Sequence, residues 1–206
     1  MASGWAARQG MDVVLVEKMG QLGKKLRISG EGRCNVTNLG MEEPQQVYPG
    51  NGRFLHSALS RLSSHDLIRH FESLGVRLKV ERGRRVFPVS DDAHQVADAL
   101  VRFAEVAGVK IIRNRSASRL EVDKQVVCGV RLADGETIST GAVIVATGGA
   151  SYPGTGSSGD GYRLAEAVGH TIIPPIPALV PLKTSVSWVK DLAGLRLRNV
   201  KVTISH

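Results

Sequence analysis

The chain has 206 residues, enough to bury one substantial core and begin a second. Hydrophobic residues make up 42% and charged residues 22%, an ordinary globular balance, while aromatics at 4% argue against a single-strand nucleic-acid platform of stacked rings. Lys+Arg 27 against Asp+Glu 19 gives +8, which would draw in a dinucleotide pyrophosphate, nucleic acid or acidic lipid, or simply make a solvated basic surface.

The opening residues MASGWAARQG read as the last turns of a helix closed by Gly10. Asp12 to Glu17 (DVVLVE) is a short apolar run ending in an acid, as expected of a buried parallel strand. A helix feeding such a strand is the second half of a βαβ unit. The first half, a strand with a G-x-G-x-x-G turn, is not in the chain. Met19 to Asn38 is rich in Gly, Lys, Arg, Ser and Asn and is expected to be a structured loop, with Gly20, Gly23, Gly30 and Gly32 permitting close approach to a ligand.

Helical periodicity follows over Arg53–Leu62 and Ser64–Leu74, with Ser64 as N-cap and Gly75 as stop. Val76–Glu81 and Arg85–Val89 form a predicted hairpin, and Ser90 or Asp91 caps a helix over Ala93–Ala107. Val109–Arg113 is a second buried strand. Alternating segments at Ser116–Val122, Val126–Leu132 and Glu136–Ser139 follow, the last two joined by an Asp134-Gly135 turn. Ala142–Thr147 is a strongly apolar strand running into Gly148-Gly149, and a Gly/Ser/Thr loop leads to a helix from about Gly161 to Val168. The tail is proline-rich, then strand-like over Arg196–Ser205, and both ends read as cut points of a longer chain.

Glu17, at the carboxyl end of a buried strand, sits where dinucleotide-binding units place the acid that accepts ribose hydroxyls; a strand-end charge reaching solvent is the alternative. The run from Lys24 to Asn38 combines glycine N–H groups with Lys24, Lys25 and Arg33, a pattern suited to an anionic cofactor. Asn35, Thr37 and Asn38 suit either a flavin edge or a helix cap. Cys34 is read as a buried inert side chain in preference to a reactive thiol. Two cysteines make neither a disulfide framework nor a metal cluster, and no apolar run approaches the ~20 residues of a membrane span, so a cytoplasmic protein is expected. The six histidines show no metal spacing; His65 and His70 are expected at the surface. The loop GTGSSGDG lacks the G-K-[ST] ending of a P-loop.

ISGEGRCNVTN (residues 28–38) resembles the I-S-G-G-G-R-C-N-x-T-N signature of a bacterial flavoprotein family of aminoacetone-oxidase-type and dehydro-bile-acid-reductase-like enzymes. The likeness extends through VFPVSDDAHQVADAL, VIVATGGASYPGTGSSGDGYRLAEAVGH and IPALVPL, nearly the whole chain in order. It implies an α/β, glutathione-reductase-like (Rossmann-type) FAD-binding domain with a β-meander, incomplete, plus part of a second substrate domain. Residues 1–50 would be the first part of the FAD domain without strand 1 and its G-x-G-x-x-G, 51–108 a helical and hairpin insertion, 109–170 the meander and A-T-G-G strand, and 171–206 the start of the substrate domain.

The resemblance implies ribose contacts from Glu17 and Lys18. It implies a flavin and pyrophosphate loop from Lys24, Lys25 and the run Gly30, Gly32, Arg33, Cys34 and Asn35. An adenine contact would come from Ala117, and Thr147 and Gly148 would close the strand that nears the cofactor. Glu31 departs from the family's glycine, adding bulk and negative charge there. The implied activity is hydride transfer through FAD to or from a small organic substrate. NAD(P)H is open as electron donor, since no second fingerprint is present, and neither nucleic acid nor membrane is expected as a partner. A basic non-catalytic binding module, or an inactive fragment, is the competing class. Lacking the first phosphate loop, the chain is expected to bind FAD weakly or not at all.

Overall fold

The computed structural model describes every residue except 41–47, 49, 50, 178–182, 196–199, 202 and 204–206. It divides into two units, Met1–Ile172 and Ile173–His206.

The first unit begins with helix α1 (Ala2–Arg8), and Gly10 at φ 84 turns the chain into strand β1 (Val14–Glu17). The expected loop then contains a helix, α2 (Lys24–Ile28), and a 3-10 turn, Ser29–Gly32. Gly, Lys and Arg masked a short run of good helix formers, and burial of Arg27 and Leu26 against the core holds it in place. Strand β2 (Thr37–Asn38) leads, beyond residues 41–50, to helices α3 (His56–Arg61) and α4 (Ser64–Ser73).

Ser63, not Ser64, caps α4. Its Oγ accepts from Asp66 N at 3.1 Å, while its own N–H donates to Asp66 Oδ2 at 2.8 Å. Ser64 is spoken for elsewhere: its hydroxyl donates to the Asn38 carbonyl at 2.9 Å and ties the helix to β2.

Strands β3 (Leu78–Glu81) and β4 (Arg85–Pro88) form the expected hairpin, and β2 adds to β4, giving an antiparallel sheet in the order β2-β4-β3. Helix α5 (Ala93–Val106) is capped by Asp92, whose Oδ1 accepts from His94 N at 2.8 Å, one position beyond the Ser90 or Asp91 expected. It buries Ala93, Val96, Ala97, Ala99, Phe103 and Ala104. Strand β5 (Lys110–Arg113) pairs in parallel with β1, Val14 opposite Lys110 and Glu17 opposite Arg113. Strands β6 (Ala117–Asp123), β7 (Val126–Leu132) and β8 (Thr137–Ser139) make the antiparallel meander, and helix α6 (Asp160–Ala167) ends the unit. Cys34, Phe71, Val76, Ala93, Val96 and Ala99 form its core cluster.

The expected strand at Ala142–Thr147 does not form. The segment has no regular secondary structure and no ladder partner among the described residues, and Ile144 is 66% exposed. A strand requires a hydrogen-bonding neighbour as well as an apolar sequence. The strand-like reading of Arg196–Ser205 lies largely outside the described residues. In the second unit the described residues include a 3-10 turn at Ser187–Leu192. No helix of the described residues is long and apolar enough to cross a membrane.

His70 is not the surface residue expected. Its ring packs among Trp5, Phe71 and Phe103, with centroids 5.5, 5.8 and 4.9 Å away, and its Nε2 is buried with no hydrogen-bond partner among the described residues. Burial, reinforced by the positive charges of the amino terminus and Arg8, holds the imidazole below its ordinary value of 6.5. The fold therefore favours neutral His70, and the unfolded chain takes up the extra proton first. The stabilising contribution is complete above pH 6.5 and is lost as pH falls below it. Urea midpoints measured between pH 7 and pH 5 should fall in the native chain and be flatter in His70→Leu; parallel profiles would refute the assignment.

Candidate functional site

The parallel strands β1 and β5 end side by side, and three further elements converge on that end. The chain after β5 stays close to β1: Arg115 N donates to the Glu17 carbonyl at 3.2 Å, and Ala117 opens β6 two residues later. The loop 148–160 arrives from the other direction. Lys18 Nζ donates to Ser158 Oγ and Asp160 Oδ2, each at 2.5 Å, and this contact, with help from Arg163, keeps the Asp160 carboxyl below the ordinary carboxylate range. From α2, Lys25 Nζ reaches the Ser151 carbonyl at 3.1 Å and hydroxyl at 2.8 Å, and lies 6.0 Å from the centre of the Tyr152 ring. The carboxyl ends of parallel strands are where open α/β sheets bind ligands.

Two glycines make the close packing possible. A Cβ on Gly148, at φ 78, would meet Ser157 Oγ at 2.8 Å, and one on Gly161 would meet Thr147 Oγ1 at 2.6 Å. Thr147 thus leans on the start of α6 and Gly148 on Ser157, where Gly156, Ser157 and Gly159 are buried while residues 150–154 stay exposed. Glu17 uses one carboxylate oxygen to accept Met19 N at 2.8 Å, which orders the turn leaving β1.

The remaining residues singled out in the sequence point elsewhere. Arg33 donates to Glu81 and to Asp91 and lies 4.3 Å from the centre of the Phe87 ring, so it braces the β3–β4 sheet. Its hydrogen bonds hold Glu81 below the ordinary range; at Asp91, Lys79 is the larger cause and Arg33 the second. Cys34 is fully buried in the core, and burial raises its thiol pKa, as an inert side chain requires. Lys24 is half-buried and Asn35 exposed. Gly30 and Gly32, at φ 57 and 82, shape the turn between α2 and β2, where a Cβ on Gly30 would stand 2.9 Å from Asn35 N. Glu31 itself has φ 61, the left-handed conformation that a glycine would take without strain.

The structure therefore gathers Glu17, Lys18, Lys25, Ala117, Thr147 and Gly148 around one strand end. It directs Arg33 and Cys34 into packing. Ser151, Ser158 and Asp160 were missed in the sequence; the one hint was their loop's Gly/Ser composition, which says nothing of where it docks. Among the described residues, no group of three or more His, Cys, Asp or Glu is placed to hold a metal ion.

The fit to FAD rests on this geometry. The strand-end acid Glu17 and the cations Lys18 and Lys25 suit the ribose and phosphate chemistry of a dinucleotide, although Lys18 is paired with Asp160 here and the G-x-G-x-x-G turn is not among these residues. The fold and this site define a Rossmann-type FAD-binding domain with α/β content, present in part; FAD is the cofactor of that fold. The family model described as HI0933-like protein Rossmann domain matches residues 1–203, and the chain belongs to this family.

Among curated relatives, it is 36% identical over 195 residues to the 3-dehydro-bile acid delta(4,6)-reductase of Clostridium scindens, covering 93% of this chain and 46% of that one. It is 33% identical over 201 residues to the ribosomal RNA dihydrouridine synthase of Escherichia coli, covering 96% and 49%. The chain thus spans about half the length of these relatives. Solved structures agree in fold: Thermovibrio ammonificans THI4, with TM-score 0.50, 18% identity and 75% and 55% coverage, and the Mycobacterium smegmatis Sdh1 complex in the apo form, with TM-score 0.53, 17% identity and 81% and 36% coverage.

Proposed function

We propose that this chain is the cofactor-binding part of an FAD-dependent reductase that saturates a carbon–carbon double bond polarised by a carbonyl group. The observation that carries the reading is the convergence of Lys18, Lys25 and the loop 148–160 at the carboxyl end of β1. The relatives' names supply the reaction class. A delta(4,6)-reductase of a 3-dehydro bile acid and a dihydrouridine synthase both describe reduction of a double bond conjugated to a carbonyl.

Bound FAD supplies the hydride chemistry, with NAD(P)H proposed as the electron donor. This chain's residues supply binding and orientation. Glu17 would accept the ribose hydroxyls with the carboxylate oxygen that Met19 leaves open. Lys18 and Lys25 would offer two cations to the pyrophosphate. Gly148, at φ 78, would let Ser157 pack where a Cβ would stand and so hold the loop beside the cofactor. Residues 1–50 and 109–170 are proposed to form the FAD domain and 51–108 an insertion in it. A further parallel strand bearing a G-x-G-x-x-G turn is proposed to complete the sheet, which would give Ala142–Thr147 its missing partner.

FAD titration followed by flavin absorbance tests this reading. The chain alone is expected to bind weakly, and the chain extended by such a strand to bind stoichiometrically. In the extended protein, Lys18→Met should weaken binding about tenfold, the worth of one charge-assisted contact. An extended protein that stays colourless in excess flavin would sink the proposal.

A further inference from the structure

The loop 148–160 leaves and re-enters the fold at one place, and its neck and tip are held by different means. At the neck, Gly159 N donates to the Gly149 carbonyl at 3.1 Å. The Tyr162 ring flanks both glycines: a Cβ on Gly149 would stand 3.5 Å from its hydroxyl, and one on Gly159 3.4 Å from its Cδ2. Gly156 and Ser157 are buried, and a Cβ on Gly156 would meet Met19 Cγ at 3.0 Å. Lys18 completes the neck by pairing with Asp160, a carboxylate only 15% exposed.

The tip is built otherwise. Residues 150–154 are exposed, and Pro153–Thr155 forms a 3-10 turn closed on Tyr152, whose carbonyl accepts from Thr155 N at 2.9 Å and Thr155 Oγ1 at 2.7 Å. Those bonds make the tip a preformed unit. Gly148 and Gly156, at φ 78 and 100, stand on either side of it, where the backbone can turn without a Cβ in the way. Among the described residues, the hydrogen bonds that tie the tip to another element both come from Lys25, to the Ser151 carbonyl and hydroxyl, with the Tyr152 ring beside the same ammonium. A phosphate therefore offers the two lysines different things. Lys18 already holds a carboxylate, and leaving it would hand Asp160 to Arg163 alone. Lys25 has no carboxylate partner among the described residues; its ammonium is met by neutral oxygens, so a phosphate oxygen adds the opposite charge it lacks.

We propose that Lys25 is a clasp on the loop tip that a pyrophosphate group opens. As the ammonium turns to the phosphate it releases Ser151, and the tip 150–155 swings on Gly148 and Gly156 while the neck stays closed. This rests on the dinucleotide reading above and adds a moving part to it: the empty site holds the tip across Lys25, and the loaded site lets it go. Tip and phosphate compete for one ammonium, so whatever loosens the tip must tighten phosphate binding by the same factor.

Tyr152 and Tyr162 report tip and neck separately. The chain has 3 tyrosines, so labelling with 3-fluorotyrosine gives three fluorine resonances, assigned by Tyr→Phe variants. Titrating the full chain with inorganic pyrophosphate should narrow the Tyr152 resonance about twofold, as a freed tip tumbles faster, and leave Tyr162 as it was. Lys25→Met should show the same narrowing without pyrophosphate and none further on titration. Ser151→Ala removes the hydroxyl acceptor but keeps the lysine, and should raise pyrophosphate affinity about threefold by calorimetry. Pyrophosphate that binds while Tyr152 keeps its width would overturn the clasp and leave the dinucleotide reading standing. Equal narrowing of Tyr152 and Tyr162 would overturn it too, because the whole loop would then have left. No heat and no change in either resonance at millimolar pyrophosphate would overturn the clasp and the phosphate role of Lys25 together. If Lys25→Met fails to fold by its urea midpoint, Ser151→Ala decides alone: unchanged affinity sinks the proposal.

Discussion

Phe103→Ala is expected to lower the unfolding free energy by about 3–5 kcal/mol, the range for truncating a buried aromatic side chain. Phe103 is 3% exposed and is the point where α5 receives α1. Trp5 meets it edge-on at 5.7 Å, His70 at 4.9 Å, and the Arg8 guanidinium lies 4.7 Å from its ring centre. Gly4 completes the fit, since a Cβ there would stand 2.5 Å from the ring. The alanine variant removes three ring contacts and the seat of α1 together, so the cavity cannot close without moving a helix. Against a typical domain stability of about 5–15 kcal/mol, this is a large share. Urea unfolding followed by far-ultraviolet circular dichroism gives the number, and Trp5 fluorescence reports whether α1 has left. Phe103→Leu, which keeps most of the volume, should cost about 1–2 kcal/mol. A loss under about 1 kcal/mol in the alanine variant would mean that α1 is not seated as described.

What the sequence made legible was periodicity. The 14 residues of α5, the β3–β4 hairpin and the three meander strands fall within a residue or two of expectation, because each has a regular apolar pattern and a turn residue at its end. Caps slipped by a single position because Ser63-Ser64 and Ser90-Asp91-Asp92 offer adjacent candidates, and only the geometry of the first turn selects one. Ala142–Thr147 failed for another reason: its apolar run specifies burial, but pairing depends on a neighbour that local pattern cannot supply. At the candidate site, Glu17 was legible from its strand-end position. The turn of Arg33 toward Glu81 and Asp91 was not, because those acids lie 48 and 58 residues away along the chain. For the same reason Lys18 could be named as a cation, while its partners 140 and 142 residues on could not.

Asp98→Ala is expected to destabilise the protein more than Arg27→Met, although Arg27 is the larger and more buried partner. Arg27 is 8% exposed and distributes its donors among three acceptors: Leu22 O at 3.1 Å, His94 Nδ1 at 3.0 Å and Asp98 Oδ1 at 2.6 Å. Together these pin α2, the helix that also carries Lys25, to α5. Removing Asp98 leaves a guanidinium in the interior without its counter-ion, and severing such a pair costs about 3–5 kcal/mol when both members are buried. The Asp98 side chain is 49% exposed, so water recovers part of that and about 2–3 kcal/mol remains. In Arg27→Met the charge and its desolvation cost leave together, Asp98 returns to solvent, and the thioether fills much of the space. The cost should then stay near 1 kcal/mol, mostly the unpaired Leu22 carbonyl. Urea midpoints of the two variants decide the order. A methionine variant less stable than the alanine variant would show that the hydrogen bonds of Arg27, not its charge balance, hold α2 to α5.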